Sequence, residues 1–240
     1  MFSQGKLNSG WLYIHVDDIA IFGRSVDYFK KEMASEFEIK DIGPADLILG
    51  VKVSQTKDSI WLDQKHFSKL LFDLYGMGEC QPVSTPLFPH LQLSPETEDE
   101  VKEFKNLKIS YQSAVCTINY LNSATRPDLS FAVSSLSQYI ERPMIFQWNG
   151  FLHVLRYLQG SLAIGCLYSQ TRNPGITSNR NANLGNCLQT RRFIQVFLAS
   201  FNGFLFLWKT KKQPTVSLST AEAKYKSLCN LTSELMWLHQ

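Results

Sequence analysis

The stretch "LYIHVDDIAIF", Leu12 to Phe22, sets two adjacent aspartates between two apolar runs rich in β-branched residues. Trp11 to Val16 and Ile19 to Phe22 have the composition of strands, Asp17 and Asp18 fall where the chain would turn, and Gly23 closes the second strand. Side by side, two carboxylates repel, so their placement needs a physical reason. One reason is local, since aspartate caps backbone donors in turns and tolerates unusual dihedrals. The other is chemical, since a carboxylate pair offers hard oxygen ligands to divalent metal ions, which cancel the repulsion. From Ser25, an N-cap residue, Phe29, Met33 and Phe37 recur at every fourth position and predict a helix, with Gly43 and Pro44 punctuating the chain beyond it.

Outward from this strand, turn, strand and helix, the runs Leu47 to Gln55 and Ser59 to Gln64 predict a second hairpin about the polar turn "TKD". Phe67, Leu70, Leu71, Leu74 and Tyr75 then show the spacing of an amphipathic helix that ends near Gly76. Between Gln81 and Ser110 come four prolines and "ETEDEVKE", whose five acids within eight residues repel one another; this stretch reads as a linker that resists packing. Leu129, Ala132, Val133, Leu136 and Ile140 mark one helix, with Pro127 in its first turn. Trp148, Phe151, Leu152, Leu155 and Leu158 mark another that packs against it. Phe193 to Lys209 is strand-like, folded at Asn202 and Gly203, and a final helix starts near Ser219 or Thr220 with Glu222 in its first turn. The fold class expected is α+β.

With 240 residues, 44% of them hydrophobic, the chain can bury one large core or two modest ones. Its net charge of +3, from 24 basic and 21 acidic residues, permits nucleic-acid binding without arguing for it. Five scattered cysteines without a C-x-x-C indicate neither a disulfide framework nor a zinc site, which suits a reducing compartment. There is no signal-peptide order of residues and no run of 18 apolar residues, so an intracellular protein that does not span a membrane is expected. The passage from Met1 into a strand at Trp11 leaves no room for earlier strands of a sheet, and a further segment is expected upstream.

The strings "VDDIAIFGRS", "FEIKDIGPADLILGVKV", "SIWLDQKHFSKLLFDLYGM", "CQPVSTPL", "TRPDLSFAVSSLSQYI", "HVLRYLQGS" and "WKTKKQPTVSLSTAEAKY" occur here in the order and spacing of copia-type retrotransposon Pol polyproteins. The resemblance runs from about Trp11 to Gln240. It implies the C-terminal part of a reverse transcriptase palm over residues 1–80, with a partial palm hairpin and helix, and a linker over 81–110. It further implies a helical thumb or connection region over 111–170 and a truncated, degenerate RNase H-like α/β segment over 171–240. The activity implied is that of an RNA-directed DNA polymerase using Mg²⁺ in two-metal phosphoryl transfer, with Asp17 as a catalytic metal ligand and Asp18 as its less critical neighbour. A third carboxylate would lie on an earlier strand, upstream of Met1. His15 stands where these elements carry a tyrosine beside the incoming nucleotide.

"NANLGNCLQTRR", Asn181 to Arg192, aligns without a gap to a signature that reads D-A-D-W-A-G and then C-x-D-T-R-R in the family's RNase H domain. Asn181 and Asn183 thus occupy two aspartate positions, Glu222 matches the catalytic glutamate, and Lys224 replaces a second glutamate. Asparagine offers a carbonyl oxygen without charge, so hydrolysis at this site is not expected, and Glu222 fits a helix-dipole role equally well. Arg191, Arg192, Lys209, Lys211 and Lys212 could form a basic face for an RNA and DNA duplex or merely a solvated surface. The partners implied are an RNA template, a DNA primer or their hybrid, and the upstream part of the same polyprotein. Without that part the chain is expected to be inactive. A non-catalytic RNA- or DNA-binding protein derived from a retroelement, or a relic without a selected role, are the alternatives.

Overall fold

The structure, a computed structural model, describes residues 10–16, 18–23, 25–88, 97–169, 175–183 and 192–238. It is α+β and divides into two units, residues 1–48 and 49–240. In the first, β1 (Gly10–His15) and β2 (Asp18–Gly23) pair antiparallel, with Gly10 opposite Gly23 and His15 opposite Asp18. The strand register therefore places Asp18 in β2 rather than in the turn where the sequence suggested it. Helix α1 (Val26–Glu36) comes next, and Lys30 reaches Asp41 at 2.8 Å to tie the helix to the segment beyond it. A two-residue strand, β3 (Leu47–Ile48), ends this unit.

The second unit begins with β4 (Val51–Gln55) and β5 (Ser59–Asp63), the predicted hairpin, joined on the far side of β5 by β6 (Cys166–Ser169). Helix α2 (Lys65–Tyr75) stops at Gly76, whose φ of +64° is the left-handed C-cap conformation that glycine adopts without strain. Four more helices complete a helical core: α3 (Glu98–Asn106), α4 (Tyr111–Ala124), α5 (Ser130–Leu136) and α6 (Ile145–Gly160). Ile118, Leu121, Leu129, Leu136, Phe151 and Leu158 are fully enclosed between them. Burial on this scale, at roughly 25 cal/mol per Å² of apolar surface, is what holds the helices together.

The acidic run differs from its expectation. Residues 98–106 are helical, the Thr97 hydroxyl accepts the Glu100 amide, and Glu98, Asp99 and Glu100 occupy the first turn, where the helix dipole favours negative charge. Val101 and Phe104, on the other side of that helix, are buried. Like-charge repulsion is thus relieved at one helix end while two apolar residues drive the packing.

Residues 77–88 are likewise docked. They run along α6, where Arg156 donates through Nε to the Gln81 carbonyl at 2.9 Å, Gln159 donates to the Gly78 carbonyl at 3.2 Å, and His153 contacts the Thr85 carbonyl at 3.0 Å. Gly160 suits the close approach here, since a Cβ on it would lie 3.0 Å from Pro82 Cβ and the ring would have to give by a few tenths of an ångström. The resembling strings "CQPVSTPL" and "HVLRYLQGS" are therefore two sides of one contact.

"TRPD" has a similar explanation. Arg126, only 3% exposed, pairs with Asp128 at 2.7 Å and donates to the Ser161 carbonyl and hydroxyl at 3.1 and 2.7 Å. The Tyr157 hydroxyl donates to Asp128 at 2.9 Å, and the Thr125 hydroxyl donates to Gln64 at 2.8 Å. A buried guanidinium is tolerable only when its charge and donors are met in this way.

The last sheet has β8 (Ile194–Phe201) between β7 (Ile176–Asn183) and β9 (Phe204–Lys212), all antiparallel. Asn202 and Gly203, at φ of +51° and +81°, make the left-handed two-residue turn whose twist suits a hairpin. Trp208 donates its indole N–H to the Asn122 carbonyl at 2.7 Å, which fixes one face of this sheet to the helical core. Helix α7 (Thr220–Leu238) covers the other. Among the described residues, no helix is long and apolar enough to cross a membrane.

Candidate functional site

Three sets of sequence-derived candidates fall on three elements: the β1–β2 hairpin, strand β7 with the start of α7, and strand β9. At the hairpin, alternation puts directly opposed residues on the same face, so His15 and Asp18 are neighbours at its end. Both are exposed, and the ring of Tyr13 lies parallel to that of His15 with centroids 6.5 Å apart. Val16 has φ of +52°, a conformation costing roughly 1–2 kcal/mol for an L-residue, which is the strain of turning the chain so tightly with a β-branched residue. Asp17 lies outside the described residues. Among those described, no group of three or more His, Cys, Asp or Glu side chains stands ready to hold a metal ion.

On the C-terminal sheet, side chains on one face meet α7. Arg180 donates to the Lys224 carbonyl, Gln195 accepts from Asn230 at 3.2 Å, and Lys209 pairs with Glu234 at 2.8 Å. Asn181 is one residue from Arg180 and opposes Val196, so alternation assigns it to the face turned away from α7. Asn183 pairs through its backbone with Ile194. The structure therefore does not bring Asn181 onto the face that carries Glu222.

Glu222 is held locally. Its amide donates to the Ser219 hydroxyl at 3.1 Å, its Oε2 accepts from the Leu218 amide at 2.7 Å, and its Oε1 meets Lys226 Nζ at 2.6 Å. This is a helix N-cap in which the glutamate reaches back, as hydroxyl and acid at that spacing predict. The Lys226 ammonium and then the Leu218 amide hold the Glu222 carboxyl below its ordinary range.

The basic candidates do not form one face. Lys209 is neutralised by Glu234, and Lys211 shares its side of β9, whereas Lys212 lies on the other side by alternation. Arg192 is half-buried and Arg191 lies outside the described residues. The residues that sequence reading missed are the polar ones behind α7. Gln213, buried, donates to the Ala223 carbonyl at 2.8 Å and to Gln195 at 3.3 Å, and accepts from Ser217 at 3.0 Å. Their signal was present in "KKQPTVSLSTAEAKYK" as hydroxyls and amides crowded before a helix, but polar residues there read equally as a loop.

Residues 1–89 match the family described as reverse transcriptase (RNA-dependent DNA polymerase). The chain is 33% identical over 234 residues to the retrovirus-related Pol polyprotein from transposon TNT 1-94 of Nicotiana tabacum, covering 95% of this chain and 18% of that one. Over nearly its whole length it is similar to retrotransposon Pol polyproteins. An Arabidopsis thaliana polyprotein from transposon RE2 is 27% identical over 95% of the chain, which spans 16% of its length. An uncharacterized mitochondrial protein of Arabidopsis thaliana is 29% identical, with 95% of this chain covering 93% of it. The chain thus spans about a fifth of the transposon polyproteins it matches and nearly all of the mitochondrial protein. No solved structure matches. The matched family segment contains the whole β1–β2 hairpin, so this chain carries a reverse transcriptase-like region.

Proposed function

We propose that the chain is the hairpin-bearing part of a retrotransposon reverse transcriptase. RNA-directed DNA synthesis then belongs to the longer protein, and the 240-residue chain alone does not extend a primer. The observation that carries this reading is the pairing of His15 with Asp18 at the end of an exposed hairpin within the family-matched segment. In this reading Asp17 and Asp18 are the carboxylates that would hold Mg²⁺, which supplies charge neutralisation to phosphoryl transfer. The Asp18 carboxylate is the described donor there, and Mg²⁺ is commonly held by one or two carboxylates while waters and substrate phosphates complete its shell. Palm-like character over residues 1–80, a thumb or connection region over 111–170 and an RNase H-like segment over 171–240 belong to the same proposal. In it Asn181, Asn183 and Glu222 are vestiges of a nuclease centre, and an RNA template, a DNA primer or their hybrid are the partners.

Primer extension on a primed RNA template with Mg²⁺, run beside Asp17→Ala, tests the reading. No extension by either chain is expected. Extension by the native chain that Asp17→Ala abolishes would overturn the inactivity proposed for the chain alone. Salt-dependent binding to an RNA and DNA hybrid, unchanged by Asp17→Ala, would instead favour a binding role without catalysis.

A further inference from the structure

The start of α7 contains a niche lined by three oxygens. Glu222 Oε1, Thr215 Oγ1 and Ser217 Oγ lie 2.6, 3.1 and 3.2 Å from one atom, the ammonium nitrogen of Lys226. The Ser217 hydroxyl gives its proton to Gln213, which leaves a lone pair for the ammonium. We propose that Lys226 is the resident cation of this niche, taking the place of a metal ion beside Glu222 and making the attachment of α7 independent of any divalent ion.

Charge and coordination decide between the two occupants. The niche carries one formal negative charge, on Glu222, with two neutral hydroxyls beside it. That set balances a single positive charge with three donors, which is what an ammonium supplies. A divalent ion would keep an uncompensated positive charge and would draw one carboxylate oxygen and two neutral hydroxyls from the protein, with water left to complete its shell, far short of the several carboxylates a two-metal centre uses. The second carboxylate oxygen is already committed to the Leu218 amide, so Glu222 cannot turn to bridge an ion without releasing the helix cap. Asn181 offers no charge and lies on the other face of the sheet. The residues present therefore do not fit a two-metal centre. They do fit a lysine-closed polar joint that links the loop before α7, through Ser217 and Gln213, to β8 at Gln195.

The native chain, isotope-labelled for NMR and titrated with Mn²⁺ into the millimolar range, tests this without any variant. Amide signals from Thr215 to Glu222 are expected to keep their linewidths. Selective broadening of these signals would overturn the proposal. Broadening confined to β1 and β2 reports on the hairpin alone, so failure of the polymerase reading and failure of this one are distinguishable. In Lys226→Met, which keeps the apolar stem, amide exchange at Leu218 is expected to rise roughly fivefold as the cap loosens. Exchange equal to that of the native chain would show that the ammonium holds nothing, and would also overturn it.

Discussion

The β1–β2 hairpin and helix α6 are built from equally apolar sequence and end in opposite circumstances. In the hairpin, Trp11 and Ile14 remain 68% and 63% exposed, and α1 behind it buries no residue. In α6, Phe151, Val154, Leu155 and Leu158 are wholly enclosed by α2, α3, α4 and α5. The difference teaches that apolar patterning reports what a segment requires, and that stabilisation comes only where a second layer meets it. It also separates two kinds of role: the enclosed helices hold the second unit together, while the exposed hairpin contributes its surface and its turn.

Truncation of a core side chain should separate the two regions most widely. Phe151→Ala is expected to cost about 4 kcal/mol in urea unfolding of the second unit, whereas Ile14→Ala should leave that transition within about 0.5 kcal/mol. Equal effects would break the contrast. Removing the guanidinium that joins the 125–128 turn to the end of α6 comes next. Arg126→Ala leaves Asp128 and Ser161 without their partner, with an expected loss of about 3 kcal/mol in the same measurement. At the hairpin, Val16→Gly should release the strain of its positive φ, about 1 kcal/mol before the added chain entropy of glycine. Slower amide exchange across β1 and β2 would show it.

The smallest effect is a pH dependence. Partial burial pulls the His153 pKa below its ordinary 6.5, and the Arg156 charge adds to the shift, while the Thr85 carbonyl opposes it. The folded chain therefore prefers the neutral ring, and the unfolded chain binds the proton more readily. Its contribution is complete above pH 6.5 and is lost as the pH falls from there through the folded value. Melting temperature against pH should show a shallow decline in this window that His153→Gln removes.

Much of the fold was legible because its signals are local. The Asn202–Gly203 turn, the Gly76 stop of α2, the "TKD" hairpin and the Ser219 cap each depend on residues within a few positions of one another. Helix α4 was missed even though Tyr111, Ala114, Val115, Ile118 and Leu121 carry its buried stripe, and β6 and β7 were missed as well. Strand β7, "ITSNRNAN", shows why: its polar run has no alternation to detect and is a strand because β8 pairs with it along its whole length. The acidic segment misled because repulsion was counted without the helix end that relieves it. At the candidate sites the sequence named Asp18 and Glu222 but could not show their surroundings. Which face Asn181 takes, or which cation meets Glu222, depends on strand register and on contacts between distant residues.

The contact of Pro82 with Gly160 ties the fate of two distant positions in descent. A side chain gained at 160 would press on the ring at 82 and be accommodated more easily beside a smaller residue there, or where the loop carrying Pro82 shifts by a few tenths of an ångström. Substitutions at these two positions are therefore expected to be correlated among variants of this chain, so that each carries some record of the other.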